Sequence, residues 1–364
     1  MIDRERAIDT FTDLVMIDSP SGDEAQVREH LLAKLDELGL RCEVDKTGNI
    51  VARLAAKRGA ALLLGVHMDT VEPGRGIKPI VDGDVIRSDG TTILGGDDKA
   101  GVAAVLELLT VLRENELPHP PIEVVVTVGE EQALYGARHL NTSRLASESG
   151  IVLDSGGPPG RIVVEAPSKD LLDFTIHGRA AHAGHRPEEG VNAIRVASEA
   201  IAAMPMGRID DETTCNIGLI SGGTGRNSVP DEAVAVGEAR SRDTDKLDQL
   251  TGSIVAEFEA AADRHGATAD LEVTHAYRAY RLSADERIVR VLADTAKSLG
   301  IEPELVATGG GSDANIFNAA GIPCTNLSNG TYRVHTTDEH LVIDHWVDSM
   351  RILLSAIVRM TPRA

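Results

Sequence analysis

The chain has 364 residues, a length for about two domains, and its 42% hydrophobic and 26% charged side chains suit buried cores rather than a disordered or fibrous chain. A formal net charge of −21, from 36 basic against 57 acidic residues, argues against nucleic acid or an anionic membrane as partner. The opening Met-Ile-Asp-Arg-Glu-Arg puts charge where a signal peptide needs an apolar run, and apolar stretches such as 60–66 and 124–128 fall far short of the roughly 20 residues that span a bilayer. Cys42, Cys215 and Cys324, an odd set without Cys-x-x-Cys, do not form a disulfide scaffold and point to a reducing compartment, so a cytoplasmic location is expected.

In chain order, residues 2–15 read as a helix. Residues 20–39 read as another, with Ser21 as N-cap, Glu24 three residues on and Gly39 at the stop. Residues 41–44 and 50–54 read as strands joined by the turn 45–49. The wholly apolar run 61–66 reads as a strand buried on both faces, 122–128 and 150–153 read as strands of the same buried type, and a helix over 99–114 lies between the first two. Strands alternating with helices predict an α/β layer with a mostly parallel sheet. From 169 to 281 the pattern changes to strand 171–176, helix 191–204, strands 214–220 and 233–239, helix 244–265 and strand 271–276. That βαββαβ order belongs to a small α+β sandwich. A helix over 284–300, a strand over 321–326 and a terminal helix over 341–360 follow. The simplest topology is one α/β domain (1–165 and 283–364) interrupted by an α+β domain (166–282).

Titratable residues gather at the ends of the apolar strands: His67 and Asp69 after the first, Asp97 and Asp98 where a helix opens, Glu130 and Glu131 after the next strand, and Asp154 after the one that follows. His335 comes after a glycine-rich region. Open α/β sheets bind ligands outside the carboxyl ends of their strands. Taken singly each motif has a plain alternative: Asp97 and Asp98 as acids favoured by a helix dipole, Glu130 and Glu131 as a solvated pair. Together they put two imidazoles and three or four carboxylates in one place, too much negative charge to gather without a cation. Nitrogen and oxygen donors without thiolate suit zinc first, and manganese or cobalt after it. No Gly-x-Ser-x-Gly elbow and no P-loop is present.

The runs 65–71 (Gly-Val-His-Met-Asp-Thr-Val), 91–101 (Thr-Thr-Ile-Leu-Gly-Gly-Asp-Asp-Lys-Ala-Gly) and 127–131 (Thr-Val-Gly-Glu-Glu) resemble the signature blocks of the co-catalytic zinc exopeptidases. That family includes peptidase T, glutamate carboxypeptidase, aminoacylase and succinyl-diaminopimelate desuccinylase. The resemblance continues through 180–184, 309–315 and 321–327, and the Asp-Asp-Lys-Ala-Gly block with 301–305 points to the peptidase T-like branch. It implies a zinc-peptidase catalytic domain with an inserted lid and dimerisation domain, a homodimer through that lid, and two divalent metal ions per subunit. Asp97 would bridge the metals, His67 and Asp154 would complete one site, and Glu131 and His335 the other. Glu130 would be the general base. Asp69 would accept the free ring N–H of His67. His182 would reach the developing oxyanion, in its own or the partner's site. Asn227 and Arg240 would hold the substrate carboxylate, and Gly311 and Ser312 would let backbone approach the substrate. Glu130 and Glu131 can split their roles only if the chain turns at Gly129. The substrate expected is a small peptide, cleaved at its N-terminus. An N-acyl amino acid amidase or carboxypeptidase is the alternative within the family, and a non-catalytic peptide binder the alternative outside it. The resemblance departs at Gly309, where peptidase T has an arginine, so it carries the metal chemistry further than the tripeptide preference.

Overall fold

The computed structural model describes residues 1–56 and 58–361. The chain divides into two compact units: Met1–Glu165, Arg281–Thr308 and the chain from Ser312 onward form the first, and Ala166–Tyr280 with Gly309–Gly311 the second. Re-entry into the first unit comes at Arg281, slightly before position 283. The three glycines at 309–311 group with the second unit, although the sequence reading put them in the first.

The first unit is built on a sheet in the order Arg41–Val44, Ile50–Leu54, Ile122–Thr127, Ala61–His67, Ser147–Ser155, Cys324–Ser328, Arg161–Ala166. Its centre is parallel: Ala61–His67 pairs in parallel with both Ile122–Thr127 and Ser147–Ser155, and Cys324–Ser328 in parallel with Ser147–Ser155. These are the apolar runs. Every residue of Ile122–Thr127 is buried, and Leu62, Leu63 and Leu64 are fully so, as a strand covered on both faces requires. Helices Arg4–Val15, Gly96–Glu114, Arg287–Ser298 and Ile343–Met360 share one apolar core with the sheet. Phe11 meets Trp346 edge to face at 5.6 Å, and the Trp346 indole N–H donates to the Ala100 carbonyl at 3.0 Å. That bond satisfies the only polar atom of the largest buried side chain.

Three features depart from the sequence reading. The helix expected over 20–39 runs over Ala25–Glu37, and Ser21 is not its cap, because its hydroxyl donates to Asp69 Oδ2 at 2.7 Å. The glycine run is followed directly by a helix, Asp313–Ala319. A small antiparallel sheet, in the order Thr331–Tyr332, His340–Val342, Val85–Arg87, Ile80–Asp82, has no counterpart in the reading, since its strands are only two or three residues long. That sheet pins both ends of the segment 333–339.

In the second unit an antiparallel sheet runs Gly207–Arg208, Thr213–Gly222, Glu232–Ser241, Ser168–His177, Thr268–Tyr277. Burial alternates along Ser168–His177, as in a sheet with one covered face. Helices Ala193–Ala203 and Thr244–His265 belong to the same apolar cluster as Leu172, Phe174 and Ile176. Phe174 packs edge to face on Phe258 at 4.7 Å. The βαββαβ order holds, with a further two-stranded piece, Ala181–His182 on Ser228–Val229.

Candidate metal centre

The carboxyl ends of the parallel strands deliver the first ligand candidates. His67 closes Ala61–His67 in register with Thr127, and Glu130 and Glu131 follow three and four residues after Thr127. Asp154 lies near the end of Ser147–Ser155, where Asn326 clamps its backbone: the Asp154 N–H donates to Asn326 Oδ1 at 2.9 Å, and Asn326 Nδ2 donates to the Asp154 carbonyl at 3.0 Å. Asp97 stands at the mouth of Gly96–Glu114 with extended backbone (φ −84°, ψ 105°), and its peptide bond to Asp98 is cis. His335 comes from the 333–339 segment. Gly129 takes φ +55°, the left-handed turn that lets Glu130 and Glu131 leave the strand in different directions.

These side chains converge. His67 Nε2 lies 3.1 Å from Asp97 Oδ1 and 3.8 Å from Asp154 Oδ1; His335 Nε2 lies 3.4 Å from Asp97 Oδ2 and 2.8 Å from Glu131 Oε1. Asp97 therefore faces His67 with one oxygen and His335 with the other. Three groups each bring their donor atoms within 4.8 Å of one another: His67, Asp97 and Asp154; Asp97, Glu131 and His335; and His67, Glu130 and Glu131. His67 Nδ1 lies 3.1 Å from the Asp69 carbonyl oxygen and 3.3 Å from its carboxylate. Two oxygens there require a donor, so Nδ1 carries the proton and Nε2 is turned to the acids. Asp69 also accepts the N–H of Glu130 at 2.9 Å and of Glu131 at 3.3 Å, so one buried carboxylate orients His67 and both glutamates.

The cluster is strongly negative. Burial pushes the Glu130 and Asp154 carboxyls well above the usual range, and the charge of Asp97 adds to the effect on Asp154. Asp97 is only partly covered, and although burial works against its charge, hydrogen bonds from His335 and His67 hold its carboxyl well below that range. Hydrogen bonds to Asp97 and Glu131 raise His335 to about 10. Among the described residues, Asp97, Asp154 and Glu131 form ion pairs only with these two imidazoles. Largely covered carboxylates paired with imidazole nitrogens and not with Lys or Arg fit divalent cations.

Four other candidates, His182, Asn227, Arg240 and Gly311, belong to the second unit, and Ser312 belongs to the first. His182 Nδ1 accepts from the N–H of Gly184 at 3.1 Å and of His185 at 3.2 Å, which leaves the ring proton on Nε2. His182 pairs with Ser228 across its short ladder, and the Ala183 N–H donates to the Asn227 carbonyl at 2.9 Å, so His182 and Asn227 are neighbours. Arg240 is held in a fork by Glu238 at 2.8 and 3.1 Å, and Nη1 donates to the Gly309 carbonyl at 3.3 Å. Gly311 is a glycine for a packing reason, since a Cβ there would collide with the Tyr277 ring. Ser312 is buried at the start of Asp313–Ala319, its N–H donating to Asn315 Oδ1 at 3.1 Å in a capping box.

Residues to which the sequence reading gave no role in the site support the cluster from behind. Asp98 is fully buried and turned away from it, accepting from the N–H of His67 and of Gly101 at 3.2 Å each, and Asn329 Nδ2 donates to Asp98 and to the Leu153 carbonyl. Glu24 accepts the N–H of Gly129 at 3.1 Å. Glu339 accepts from Leu94, Gly95 and Asp97. Asp313 takes the Thr127 hydroxyl at 2.6 Å on Oδ2, while Oδ1 has no partner, and burial pushes its carboxyl up to about 6. The one available signal was a polar residue inside an otherwise buried stretch; the partners lie too far away in sequence to be read.

Fold and site together define a metallopeptidase of two units. Residues 172–266 match the peptidase dimerisation domain and residues 49–189 match peptidase family M28. The chain is 40% identical to the crystal structure of aminopeptidase PepT from Bacillus cereus, over 99% of this chain and 100% of that one, with a TM-score of 0.88. It is 38% identical to a tripeptidase from Staphylococcus aureus over the full length of both chains, with a TM-score of 0.93. It is 39% identical to YqjE of Bacillus subtilis over 98% of this chain and 99% of that protein. The chain belongs to the peptidase T-like branch of the M20 peptidase family, and it is a metal-dependent exopeptidase of that type.

Proposed function

We propose that the protein is an aminopeptidase that removes the N-terminal residue of short peptides, tripeptides among them, using two divalent ions, zinc first and manganese or cobalt otherwise. The observation that carries this reading is Asp97, whose two oxygens face the His67–Asp154 pair and the Glu131–His335 pair. The tripeptide preference comes from the names of the PepT and tripeptidase relatives. In this reading His67, Asp97 and Asp154 hold one ion, and Asp97, Glu131 and His335 the other. When bound, such a pair acidifies a water and polarises the scissile carbonyl. Glu130 takes the proton of the attacking water and passes it to the leaving amine. Asp69 keeps the His67 proton on Nδ1, so that Nε2 is the ligand. His182 donates from Nε2 to the developing oxyanion. Arg240 and Asn227 hold the peptide carboxylate, with Gly311 and Ser312 shaping the backbone beside it.

The working unit in this proposal is a homodimer in the cytoplasm, joined through the second unit. Supporting the dimer, among the described residues Gly207–Arg208 covers only the Thr214 and Cys215 end of the edge of Thr213–Gly222, and farther along that strand Leu219 and Ile220 are 68% and 52% exposed. Among the described residues, no helix is long and apolar enough to cross a membrane. Digestion of a defined peptide library, read by mass, tests the reading. Loss of single N-terminal residues, abolished by a chelator and restored by Zn²⁺, is expected. Products shortened from the C-terminus, or release of acyl groups alone, would move the protein to a carboxypeptidase or amidase role.

A further inference from the structure

We infer that Glu339 is a positioning residue for Asp97, a strut that fixes the Asp97 loop to the segment carrying His335. The inference rests on the reading of Asp97 as the shared metal ligand. Glu339 is 1% exposed. Its Oε2 accepts the N–H groups of Leu94 and Gly95, both at 2.8 Å, and its Oε1 accepts the N–H of Asp97 at 3.0 Å. Three backbone donors of one loop thus converge on one side chain from 242 to 245 residues away.

The loop needs such a partner. It opens a helix, and the first N–H groups of a helix have no acceptor within it. A side chain at the N-cap normally supplies one: Asp98 does so for the regular helix beyond the kink, accepting the Gly101 N–H at 3.2 Å, but the turn before it starts at Gly95, which has no side chain to offer. Asp97 and Asp98 are not helical, so the backbone does not lock Asp97 in place. Glu339 does. Three converging donors call for a carboxylate, whose two oxygens both accept; an amide of the same shape would turn an NH₂ group toward one of those donors. The fit is close on the other side too, since a Cβ on Gly96 would stand 3.1 Å from Glu339 Oε1 and 2.9 Å from Thr331 Cγ2. Glu339 lies four residues beyond His335, and its N–H donates to the Thr336 carbonyl at 3.1 Å in the same turn. The strut therefore sets the spacing of Asp97 and His335, which both face one proposed ion.

The test compares full-length Glu339→Gln with Glu123→Gln, using Co²⁺ as probe. Glu123 is a buried carboxylate of similar kind, accepting the N–H of Ala146 and Ser147 at 2.8 and 2.9 Å at the opposite end of Ile122–Thr127. Both variants should melt below wild type. Only Glu339→Gln should bind Co²⁺ ten- to a hundred-fold more weakly, the usual effect of removing a group that orients a ligand, with an altered visible spectrum. At saturating metal its KM for peptide should stay within about two-fold of wild type, because Glu339 touches no part of the substrate site. Wild-type affinity and spectrum in Glu339→Gln overturn the strut. So does an equal loss of affinity in Glu123→Gln, which would make the effect one of general stability. If Glu339→Gln does not fold, Glu339→Asp, one methylene shorter, is read by the same criteria. Failure of the metal reading looks different: wild type would bind no Co²⁺, or Asp97→Ala would bind it undiminished.

Discussion

Glu130 and Glu131 are adjacent and chemically identical, yet their company differs. Glu131 is 2.8 Å from His335, whereas among the described residues Glu130 bonds to no imidazole, and burial raises its carboxyl against the nearby charge of His67. If Glu130 moves a proton and Glu131 holds metal, Glu130→Gln should lower turnover by about 10²–10⁴-fold while bound metal and KM stay near wild type. Glu131→Gln should lower metal occupancy instead. Parallel measurement of turnover and metal content decides; a reversed pattern means the roles are exchanged. Asp69→Asn replaces an acceptor with an amide beside the His67 ring and beside two backbone donors. It should cost about 10–100-fold in metal affinity, measured by competition with a chromophoric chelator.

At the scale of elements, the second unit has its own apolar core, so damage there should stay local. Phe258→Ala should destabilise that unit by roughly 3–5 kcal/mol, visible as an earlier calorimetric transition, while metal titration of the first unit is unchanged. Leu219→Asp, on the open stretch of the edge strand, should shift sedimentation toward the monomer if the proposed dimer forms there. The buried strands and the helix Thr244–His265 were legible because length, apolar runs and caps are local properties. Helix Ala25–Glu37 was misjudged at its start because a local capping rule assigned Ser21 to it, whereas the acceptor of that hydroxyl is Asp69, 48 residues on. The same blindness hid Asn329 behind Asp98, and Asp313 behind Thr127. Short strands such as Val85–Arg87 carry little pattern of their own and are fixed by pairing on one side with Ile80–Asp82 and on the other with His340–Val342 from the far end of the chain. Four of the ligand candidates, His67, Asp97, Glu131 and Asp154, carry a local mark because each sits where an apolar strand stops or a helix begins, whereas His335, between two short strands, is named through the family resemblance.

For the molecule as a whole, a cluster this acidic makes the native state depend on what neutralises it. A cation that binds only the folded chain stabilises it by mass action, about 4 kcal/mol at a thousand times Kd. Chelation should therefore lower the melting temperature, and Zn²⁺ should restore it; no change would mean that the cluster holds no tightly bound ion. The thiols offer a second global measure. Burial pushes Cys215 up to about 11 and Cys324 higher still, while Cys42 is only partly covered. An aromatic disulfide reagent should titrate at most one thiol in the native protein and three in denaturant.

The join between the units also bears on how the polypeptide reaches its native state. The Leu282 N–H donates to the Val164 carbonyl at 2.7 Å, so the chain departs and returns at one point. Bringing two such distant residues together in a disordered coil is entropically costly, with a cost that grows with the logarithm of the intervening length. If the intervening stretch has already collapsed on its own core, the effective loop is short and the closure cheap. An order of events follows: residues 168–277 acquire exchange-protected amides first, and the strands after Arg281 add to the sheet later. Pulse-labelled hydrogen exchange during refolding would show protection at Leu172 before Asn326.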